Sequence, residues 1–400
     1  MIDVAIVGAG PAGLQAAATL AAAGLDVHVF EEHPVVGIPA HCTGVVSVEV
    51  TRFAELPHDV VLNTLTRTRL HAPGGGTCDL VWDRGDAEEI VVLDRSAFDQ
   101  HLASVAARAG AKLRMASPVQ RIAVERDSVT VELHDGSVTA RVVVLACGVS
   151  YRFHRQLGAA LPGEILHTAQ IEIDAPATDR VDVYVGRQIA PDGFLWSVPL
   201  MRDGRPRLKI GILARGPAGL WLQRFLMRPA IRHRLALSSL PTITTRVLPL
   251  KAVSRSYRDR ILLVGDAGGF TKPITGGGIF YSLLTASAAS RTLIEAFDAN
   301  RFDAATLRTY ERRWRRQLGG ELRLSGWLRR IVASCRDHEL DAMIRALAAD
   351  DIQALIRGTA RFNWHRGVIR ALMAQRRFGG LLVRSMLGAS VSPQESRQAR

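Results

Sequence analysis

The stretch "IDVAIVGAGPAGLQAAATLAAAGLDVHVFEE", residues 2–32, decides the fold of the N-terminal part of the chain. A short apolar run leads into three glycines in the pattern G-x-G-x-x-G, and an alanine-rich segment and a second apolar run follow. This order predicts a strand, a tight turn, a helix and a second strand. That βαβ unit is typical of dinucleotide-binding domains.

The residues of the turn have separate expected roles. Gly8 makes the turn, Gly10 lets the backbone approach a pyrophosphate, and Gly13 allows the helix to pack closely on the strand. The helix start, where Ala12 is a further candidate contact, offers free N–H groups to phosphates. Glu31 lies 21 residues beyond Gly10, where a carboxylate can accept hydrogen bonds from ribose hydroxyls. These residues predict a dinucleotide without separating NAD from FAD.

A second motif, "RILLVGDAGGFTKPITGGGIFYSLLTASAASRTL" at 260–293, makes that choice. It predicts a strand that ends at Asp266, a glycine-rich turn and a long helix. Asp266 can bind ribityl or ribose hydroxyls, and Gly276, Gly277 and Gly278 can present N–H groups to a pyrophosphate or a flavin edge. An ordinary sheet–helix turn is the alternative, but three consecutive glycines lose much conformational entropy on folding, and without a ligand nothing offsets this loss. Two such junctions favour one extended cofactor, FAD.

These motifs, with "DRSAFDQHLASVAARAGAKL" at 94–113, make the chain similar to the FAD-dependent group of p-hydroxybenzoate hydroxylase-type monooxygenases and geranylgeranyl reductases. "GIPAHCTGVVS" at 37–47 resembles the reductases' P-x-x-C-x-G stretch, and "GFLWSVP" at 193–199 resembles their Y-x-W-x-F-P stretch. The resemblance covers roughly residues 1–320. It implies an α/β fold: a Rossmann-like FAD-binding domain with an inserted antiparallel β-sheet substrate domain and a C-terminal helical region.

The resemblance also implies roles for single residues. Arg95, in the family's R-x-x-F-D motif, approaches the FAD phosphates, Asp266 binds the flavin's sugar-like chain, and Val119 contacts the adenine through its backbone. The family usually has an Asp-Gly pair where this chain has Cys147 and Gly148. That departure argues against a hydroxylase mechanism with NADPH.

The cysteine of the 37–47 stretch could be a nucleophile, a metal ligand, a redox thiol or a small buried side chain. The chain's four cysteines, Cys42, Cys78, Cys147 and Cys335, form no C-x-x-C pair, which favours a reducing compartment and no metal site. The resemblance places Cys42 at the flavin's face or beside the substrate. There it could donate a proton or pack against the cofactor, and the sequence leaves both roles open. His41 is a candidate substrate-binding neighbour that could act instead or tune the thiol.

The element pattern predicts four parts. They are a discontinuous FAD-binding domain (1–64, 94–150 and 251–300), a substrate domain (65–93 and 151–250), an Arg-rich helical region (301–390) and a disordered tail (391–400). In the substrate domain, Phe194 and Trp196 share one face of a strand that Pro199 is expected to end. They are predicted to form an apolar wall for an isoprenoid chain, with a purely structural Trp196 as the alternative. Asp203-Gly204 predicts a hairpin.

Charge is concentrated at the C-terminus. The net charge is +13, and residues 301–400 contain 20 Arg, no Lys and 9 acidic residues. In 303–318, Leu307, Tyr310, Trp314 and Leu318 share a face with arginines elsewhere, which is typical of a helix on an anionic membrane surface. Packing on the FAD domain is the alternative. No transmembrane helix or export signal is predicted, so the expected location is the cytoplasm or the inner face of the membrane.

The sequence therefore predicts an FAD-dependent reductase that saturates C=C bonds of an isoprenoid chain in a lipid, quinone or polyprenyl phosphate. Flavin hydride transfer plus protonation is the expected chemistry, with NAD(P)H or a reduced carrier protein as electron donor. A flavin monooxygenase acting on an aromatic or lipid substrate is the first alternative. A basic flavoprotein that binds nucleic acid or a partner protein is the second, but no platform for single-stranded nucleic acid stands out, so no nucleic acid is expected.

Overall fold

The computed structural model describes residues 1–81, 89–235, 237, 239–376 and 378–382. The chain forms two compact units. The first comprises Met1–Val61, Leu93–Ile165 and Val247–Leu322, and the second the described residues of Leu62–Val92, Leu166–Arg246 and Arg323–Arg400. Residues of the predicted region 301–390 therefore occur in both units. The predicted tail, 391–400, lies outside the described residues.

The described residues form both helices and strands, and the first unit contains a parallel sheet, which confirms the predicted α/β class. The N-terminal elements are β1 (Ile2–Val7), α1 (Pro11–Ala22), β2 (Val27–Phe30), β3 (Val45–Ser47), β4 (Val61–Leu65), β5 (Arg67–His71), β6 (Thr77–Val81), β7 (Ile90–Leu93), α2 (Arg95–Arg108), β8 (Lys112–Arg114), β9 (Arg121–Val124), β10 (Val129–Leu133), β11 (Gly136–Leu145) and α3 (Arg152–Gln156). The later elements are β12 (Ile165–Asp174), β13 (Arg180–Tyr184), β14 (Phe194–Arg202), β15 (Arg205–Ala214), α4 (Ala218–Leu226), α5 (Pro229–Arg234), β16 (Thr244–Pro249), β17 (Tyr257–Arg258), β18 (Ile261–Leu263), α6 (Ile279–Asp298), α7 (Ala304–Ser334), α8 (Asp337–Leu347), α9 (Asp350–Thr359) and α10 (Arg366–Ala374).

The first unit is built on a sheet with the order β17-β18-β11-β1-β2-β8. Strands β18, β11, β1, β2 and β8 run parallel, and β10 and β9 extend β11 in antiparallel fashion. All four residues of β2 are buried, as expected for a parallel strand covered on both faces. Helix α1 joins β1 to β2, packs against α2 and α6, and confirms the predicted βαβ unit.

The second unit contains a seven-stranded sheet with the order β16-β12-β15-β14-β13-β5-β6. The registered neighbours are antiparallel except for β13 and β5, which run parallel. The predicted hairpin is confirmed between β14 and β15. Its two loop residues, Asp203 and Gly204, have φ angles of 52° and 70°, and this pair of positive values is what a type I′ turn requires.

One predicted boundary in this sheet is wrong. Strand β14 continues through Pro199 to Arg202, because Pro199 pairs in register with Leu208 of β15. On its other side, β14 pairs with β13 only from Leu195 to Ser197. Pro199 therefore lies on a locally unpaired edge, where the missing proline N–H leaves no ladder hydrogen bond unmade.

Helix α7 carries the side chains from which membrane contact was predicted. Leu307, Tyr310, Trp314 and Leu318 are at most 2% exposed. The Trp314 indole N–H donates to Ser256 Oγ at 2.8 Å, and its ring meets Phe270 edge-on with centroids 4.8 Å apart. The membrane prediction is wrong for this helix, because its apolar face forms part of the core of the first unit.

The apolar faces of the later helices are also covered by protein. Buried side chains of α8, α9 and α10 pack with the end of α7 in one apolar cluster that includes Ile331, Leu340, Met343, Ile352, Ile356 and Leu372. The amphipathic patterns of these helices are therefore explained by the packing of helix against helix. Among the helices of the described ranges, none combines the length and apolar character that a bilayer crossing requires.

Truncating Trp314 tests this packing. We expect Trp314→Ala to lower the free energy of unfolding by about 3–5 kcal/mol, because it removes a buried ring and the hydrogen bond that the indole N–H donates to Ser256 Oγ. Arg316→Ala, on the exposed side of the same helix, should stay within about 0.5 kcal/mol of the wild type. Urea denaturation measures both, and equal stability of the two variants would contradict the assigned packing.

Candidate functional site

The glycine-rich turn after β1 leaves little room for side chains. Gly8 has φ +106°, and a Cβ there would lie 2.5 Å from the Ala146 carbonyl oxygen. A Cβ at Gly13 would lie 2.0 Å from the Gly8 carbonyl oxygen. At Gly10 a Cβ would meet no atom within 4 Å, so this residue borders open space at the N-terminus of α1. A phosphate group fits there, because the N–H groups of the first helical turn are free to bind it.

Glu31, at the end of β2, holds this turn in place. Its Oε2 accepts a hydrogen bond from the Ala9 backbone N–H at 2.8 Å. Its Oε1 accepts one from the His33 backbone N–H at 3.0 Å and lies 2.6 Å from His33 Nδ1. The carboxylate therefore ties the glycine-rich turn to the strand beside it, and its contact with ribose stays a prediction.

Helix α2 presents Arg95 at its first position. The Asp94 side chain caps the helix by accepting hydrogen bonds from the Ser96 and Ala97 backbone N–H groups. Arg95 Nη2 lies 2.8 Å from Asp99 Oδ2, one turn further on, and both side chains are largely buried. Burial lowers the pKa of Arg95, but the Asp99 carboxylate and the Cys42 sulfur more than offset this, so the pKa lies above its ordinary value.

The Cys42 loop is attached to the same junction at two points. The Ser96 hydroxyl donates to the Gly37 carbonyl at 2.9 Å, and the Leu93 N–H donates to the Gly44 carbonyl at 2.8 Å. A Cβ at Gly44 would lie 2.4 Å from the Leu93 carbonyl oxygen, so only glycine allows this approach. The Gly44 N–H lies 3.4 Å from Cys42 Sγ and donates to it. These contacts bring the half-buried Cys42 beside Arg95, with His41 next to it.

The second glycine-rich junction places Asp266 against the start of α6. Asp266 lies in a 3₁₀ turn, Gly265–Gly268, and its Oδ1 is 3.0 Å from the position of a Cβ at Gly278. Protein surrounds the carboxyl group on most sides, although part of the side chain stays accessible. This burial raises its pKa to about 6, and the charge of Arg95 opposes the rise. Arg95 therefore acts electrostatically on both Cys42 and Asp266.

Lys272 belongs to this junction and was missed from the sequence. It is 3% exposed, its backbone N–H donates to the Gly277 carbonyl at 3.0 Å, and its carbonyl accepts from the Gly276 N–H at 2.8 Å. Its Nζ lies 3.1 Å from the position of a Cβ at Gly277. A buried ammonium group under a glycine-rich loop suits an anionic or carbonyl-bearing ligand. The one sequence signal was a lysine between a glycine pair and a glycine triplet, in a chain with four lysines.

The remaining predicted site residues lie elsewhere. Val119 is buried in an apolar cluster of the first unit, and its carbonyl accepts a hydrogen bond from Arg152. Phe194 and Trp196 belong to the second unit, where they share a face of β14 with ring centroids 5.5 Å apart. A Cβ at Gly211 would lie 2.3 Å from the Trp196 ring, so the indole lies flat over the neighbouring strand. Within the described ranges, no three His, Cys, Asp or Glu side chains are placed to hold a metal ion.

The first unit thus contains open space at Gly10, helix N-termini without side-chain caps at α1 and α6, the charged pair Arg95 and Asp266, and the buried Lys272 beside Gly277. An extended cofactor with a diphosphate and a polyhydroxyl chain fits this donor set: N–H groups and cations meet the phosphates, and a carboxylate meets hydroxyl groups.

Comparison with known proteins agrees with this cofactor. The FAD binding domain family matches residues 1–319. A digeranylgeranylglycerophospholipid reductase of Methanothermobacter thermautotrophicus is 30% identical over 372 residues, covering 88% of this chain and 93% of that protein. A geranylgeranyl bacteriochlorophyll reductase-like structure from Thermoplasma acidophilum has a TM-score of 0.84 at 23% identity, covering 97% of this chain and 99% of the other. A mutant of the halogenase PltM in complex with FAD has a TM-score of 0.66 at 16% identity, covering 100% and 92%. The predicted cofactor, FAD, is confirmed.

Two alanine substitutions separate the roles of the first glycines. Gly10→Ala places its methyl group in open space, so we expect normal stability of the apoprotein and FAD binding weakened at least roughly tenfold. Gly13→Ala forces a methyl group onto the Gly8 carbonyl and should destabilise the apoprotein itself. Thermal unfolding without FAD and flavin titration measure the two effects. Loss of apoprotein stability in Gly10→Ala would contradict the assigned opening.

Asp266 generates a prediction about pH. Its carboxyl group keeps its proton up to about pH 6 in the folded chain but loses it near pH 4 when unfolded, so the free energy of unfolding falls as pH rises through this window. In apoprotein, Asp266→Asn should therefore stabilise the fold at pH 7.5, on the order of 2 kcal/mol, with a smaller gain near pH 4.5. FAD affinity should fall at the same time.

Asp303→Asn is the matched control. The Thr306 backbone N–H lowers the pKa of Asp303, so its ionised form stabilises the fold and its loss should destabilise the apoprotein at pH 7.5. Urea denaturation at the two pH values measures both variants. If Asp266→Asn destabilised the apoprotein at pH 7.5, as Asp303→Asn is expected to do, burial of the Asp266 carboxylate would not cost stability.

Proposed function

We propose that this chain, which belongs to the geranylgeranyl reductase family of FAD-dependent oxidoreductases, saturates C=C bonds in the isoprenoid chains of a membrane glycerolipid. The relative from Methanothermobacter thermautotrophicus is named for reduction of digeranylgeranylglycerophospholipid, which supports this substrate class. NAD(P)H or a reduced carrier protein is the proposed electron donor.

Reduction of an isolated C=C bond needs a proton donor as well as a hydride donor. FAD, when bound and reduced, supplies the hydride to one carbon. We assign the proton for the other carbon to the Cys42 thiol. The observation that carries this assignment is the position of Arg95 beside Cys42, because a guanidinium stabilises the negative charge left on sulfur after the proton leaves. The Gly44 N–H, already directed at Sγ, supports the same charge.

The other predicted residues have binding roles in this proposal. Cofactor binding is assigned to the predicted set Gly8, Gly10, Ala12, Gly13, Glu31, Arg95, Val119, Asp266, Gly276, Gly277 and Gly278, with Lys272 added. Phe194 and Trp196 present an apolar aromatic surface of the kind that binds an isoprenoid chain, and His41 is assigned to the substrate as the neighbour of Cys42.

Anaerobic turnover tests the reaction. Dithionite-reduced protein mixed with a geranylgeranyl glycerolipid should reoxidise its flavin without oxygen, and the lipid should gain two hydrogens per bond by mass spectrometry. Cys42→Ala should slow this reoxidation by about 10²–10⁴-fold, the usual contribution of a positioned acid, while FAD content stays normal. Cys147→Ser is the control, because that thiol donates to the Ser150 carbonyl in the same unit.

The possible outcomes distinguish whether the chain is a reductase from whether Cys42 donates the proton. If the flavin stays reduced until air is admitted and a product then gains oxygen, the chain is a monooxygenase. If the lipid is reduced at equal rates by wild type and Cys42→Ala, the reductase assignment holds and the proton comes from another group.

A further inference from the structure

The strongest charge asymmetry of the chain lies in its middle. Residues 204–258 contain 12 Arg and Lys and no Asp or Glu, a net charge of +12. The remaining residues contain 39 basic and 38 acidic side chains, a net charge of +1, in which the +11 of residues 301–400 is balanced by −10 in residues 1–203 and 259–300. This segment lies mostly in the second unit, where it forms β15, α4, α5 and β16.

Helices α4 and α5 have two different faces. Ala218, Leu222, Phe225 and Leu226 of α4 are buried in the apolar cluster that covers one face of the seven-stranded sheet. The opposite face of α4 carries Leu220, which is 42% exposed, and it ends at Met227, which is 47% exposed. These two apolar side chains are seven residues apart, so they share one side of the helix axis.

Arginines surround the exposed apolar side chains. Arg224, Arg228 and Arg232 are all exposed. The Arg224 guanidinium lies 5.1 Å from the centroid of the half-buried Trp221 ring, and that of Arg228 lies 5.8 Å from the Phe225 ring. These cation–π contacts hold the two exposed guanidinium groups over aromatic rings at the surface, and Arg228 Nη2 also donates to the Gln188 carbonyl at 3.3 Å.

We propose that this surface, defined by Leu220, Arg224, Met227, Arg228 and Arg232, docks the enzyme on an anionic lipid bilayer. Lipid phosphates complement the arginines, and the two apolar side chains enter the boundary between headgroups and acyl chains. Nucleic acid would also attract the arginines, but Leu220 and Met227 would gain nothing from phosphates. This docking does not depend on the proposed reductase activity, and it would bring the enzyme to substrates that never leave the membrane.

Flotation of the full-length, FAD-loaded protein with vesicles tests the surface. Vesicles of phosphatidylcholine with about 30 mol% phosphatidylglycerol should bind the protein, and pure phosphatidylcholine should not. Arg224→Gln with Arg228→Gln should weaken binding roughly 10- to 30-fold, as expected for two arginines at an anionic surface. Leu220→Ser with Met227→Ser should weaken it roughly tenfold.

Two control pairs carry the same changes in the C-terminal region. Arg323→Gln with Arg330→Gln alters two exposed arginines, and Val332→Ser with Met373→Ser alters side chains that are 37% and 39% exposed. Both pairs should bind within about twofold of the wild type. Unchanged thermal midpoints and FAD content establish that each variant is folded, and the exposed Leu220 and Met227 pair keeps the test valid if the arginine pair unfolds.

Three results would overturn the proposal. The first is absence of wild-type binding to the anionic vesicles. The second is an equal loss of binding in a control pair, which would move the surface to the C-terminal helices. The third is that the protein binds a short RNA duplex more strongly than vesicles, and that Leu220→Ser with Met227→Ser changes neither the binding to RNA nor the binding to vesicles. That result would assign the arginines to nucleic acid.

Discussion

The first unit depends on one close backbone approach, between the start of α1 and the turn that follows β1. The position of a Cβ at Gly13 lies only 2.0 Å from the Gly8 carbonyl oxygen, so no larger residue fits. Because the helix starts directly at the end of the strand, its free N–H groups open at the carboxyl edge of the parallel sheet. The second glycine-rich junction, at the start of α6, follows β18 of the same sheet. Both glycine-rich junctions therefore present helix N-termini at the same edge of the sheet.

A single buried cation links the chemistry of this edge. Arg95 is paired with Asp99, lies beside Cys42 and acts on Asp266. Removing one partner of a buried ion pair is expensive, so Arg95 and Asp99 hold each other in place. The fixed guanidinium then sets the electrostatic environment of a thiol and a carboxyl group that lie far apart in sequence. In the proposed function, the position of Arg95 therefore constrains cofactor binding and proton transfer together.

Short sequence motifs correctly predicted the turns whose backbone geometry restricts which residues can occupy them. The glycine pattern predicted the turn at Gly8, and Asp203-Gly204 predicted the hairpin, because positive φ angles and close approaches restrict residue choice directly. The residues that cover an apolar helix face are distant from it in sequence, so a local pattern does not identify them. The pattern around Trp314 therefore suggested membrane contact, although Phe270 and Ser256 cover the Trp314 side chain. Lys272 was missed for a related reason: its burial beside Gly277 follows from the folding of the loop, and no periodic pattern marks it.

Strand alternation in the second unit separates the two surfaces proposed for isoprenoid binding and for membrane docking. Leu195 of β14 is buried in the apolar cluster beneath α4, whereas its neighbours Phe194 and Trp196 project from the opposite face of the sheet. A bilayer bound to the outer side of α4 and α5 would therefore leave the aromatic face uncovered. The two surfaces lie on different elements and share no side chains, so their contributions to binding should be close to additive when both are altered. The proposed membrane docking and the proposed isoprenoid binding can then be measured independently in one chain.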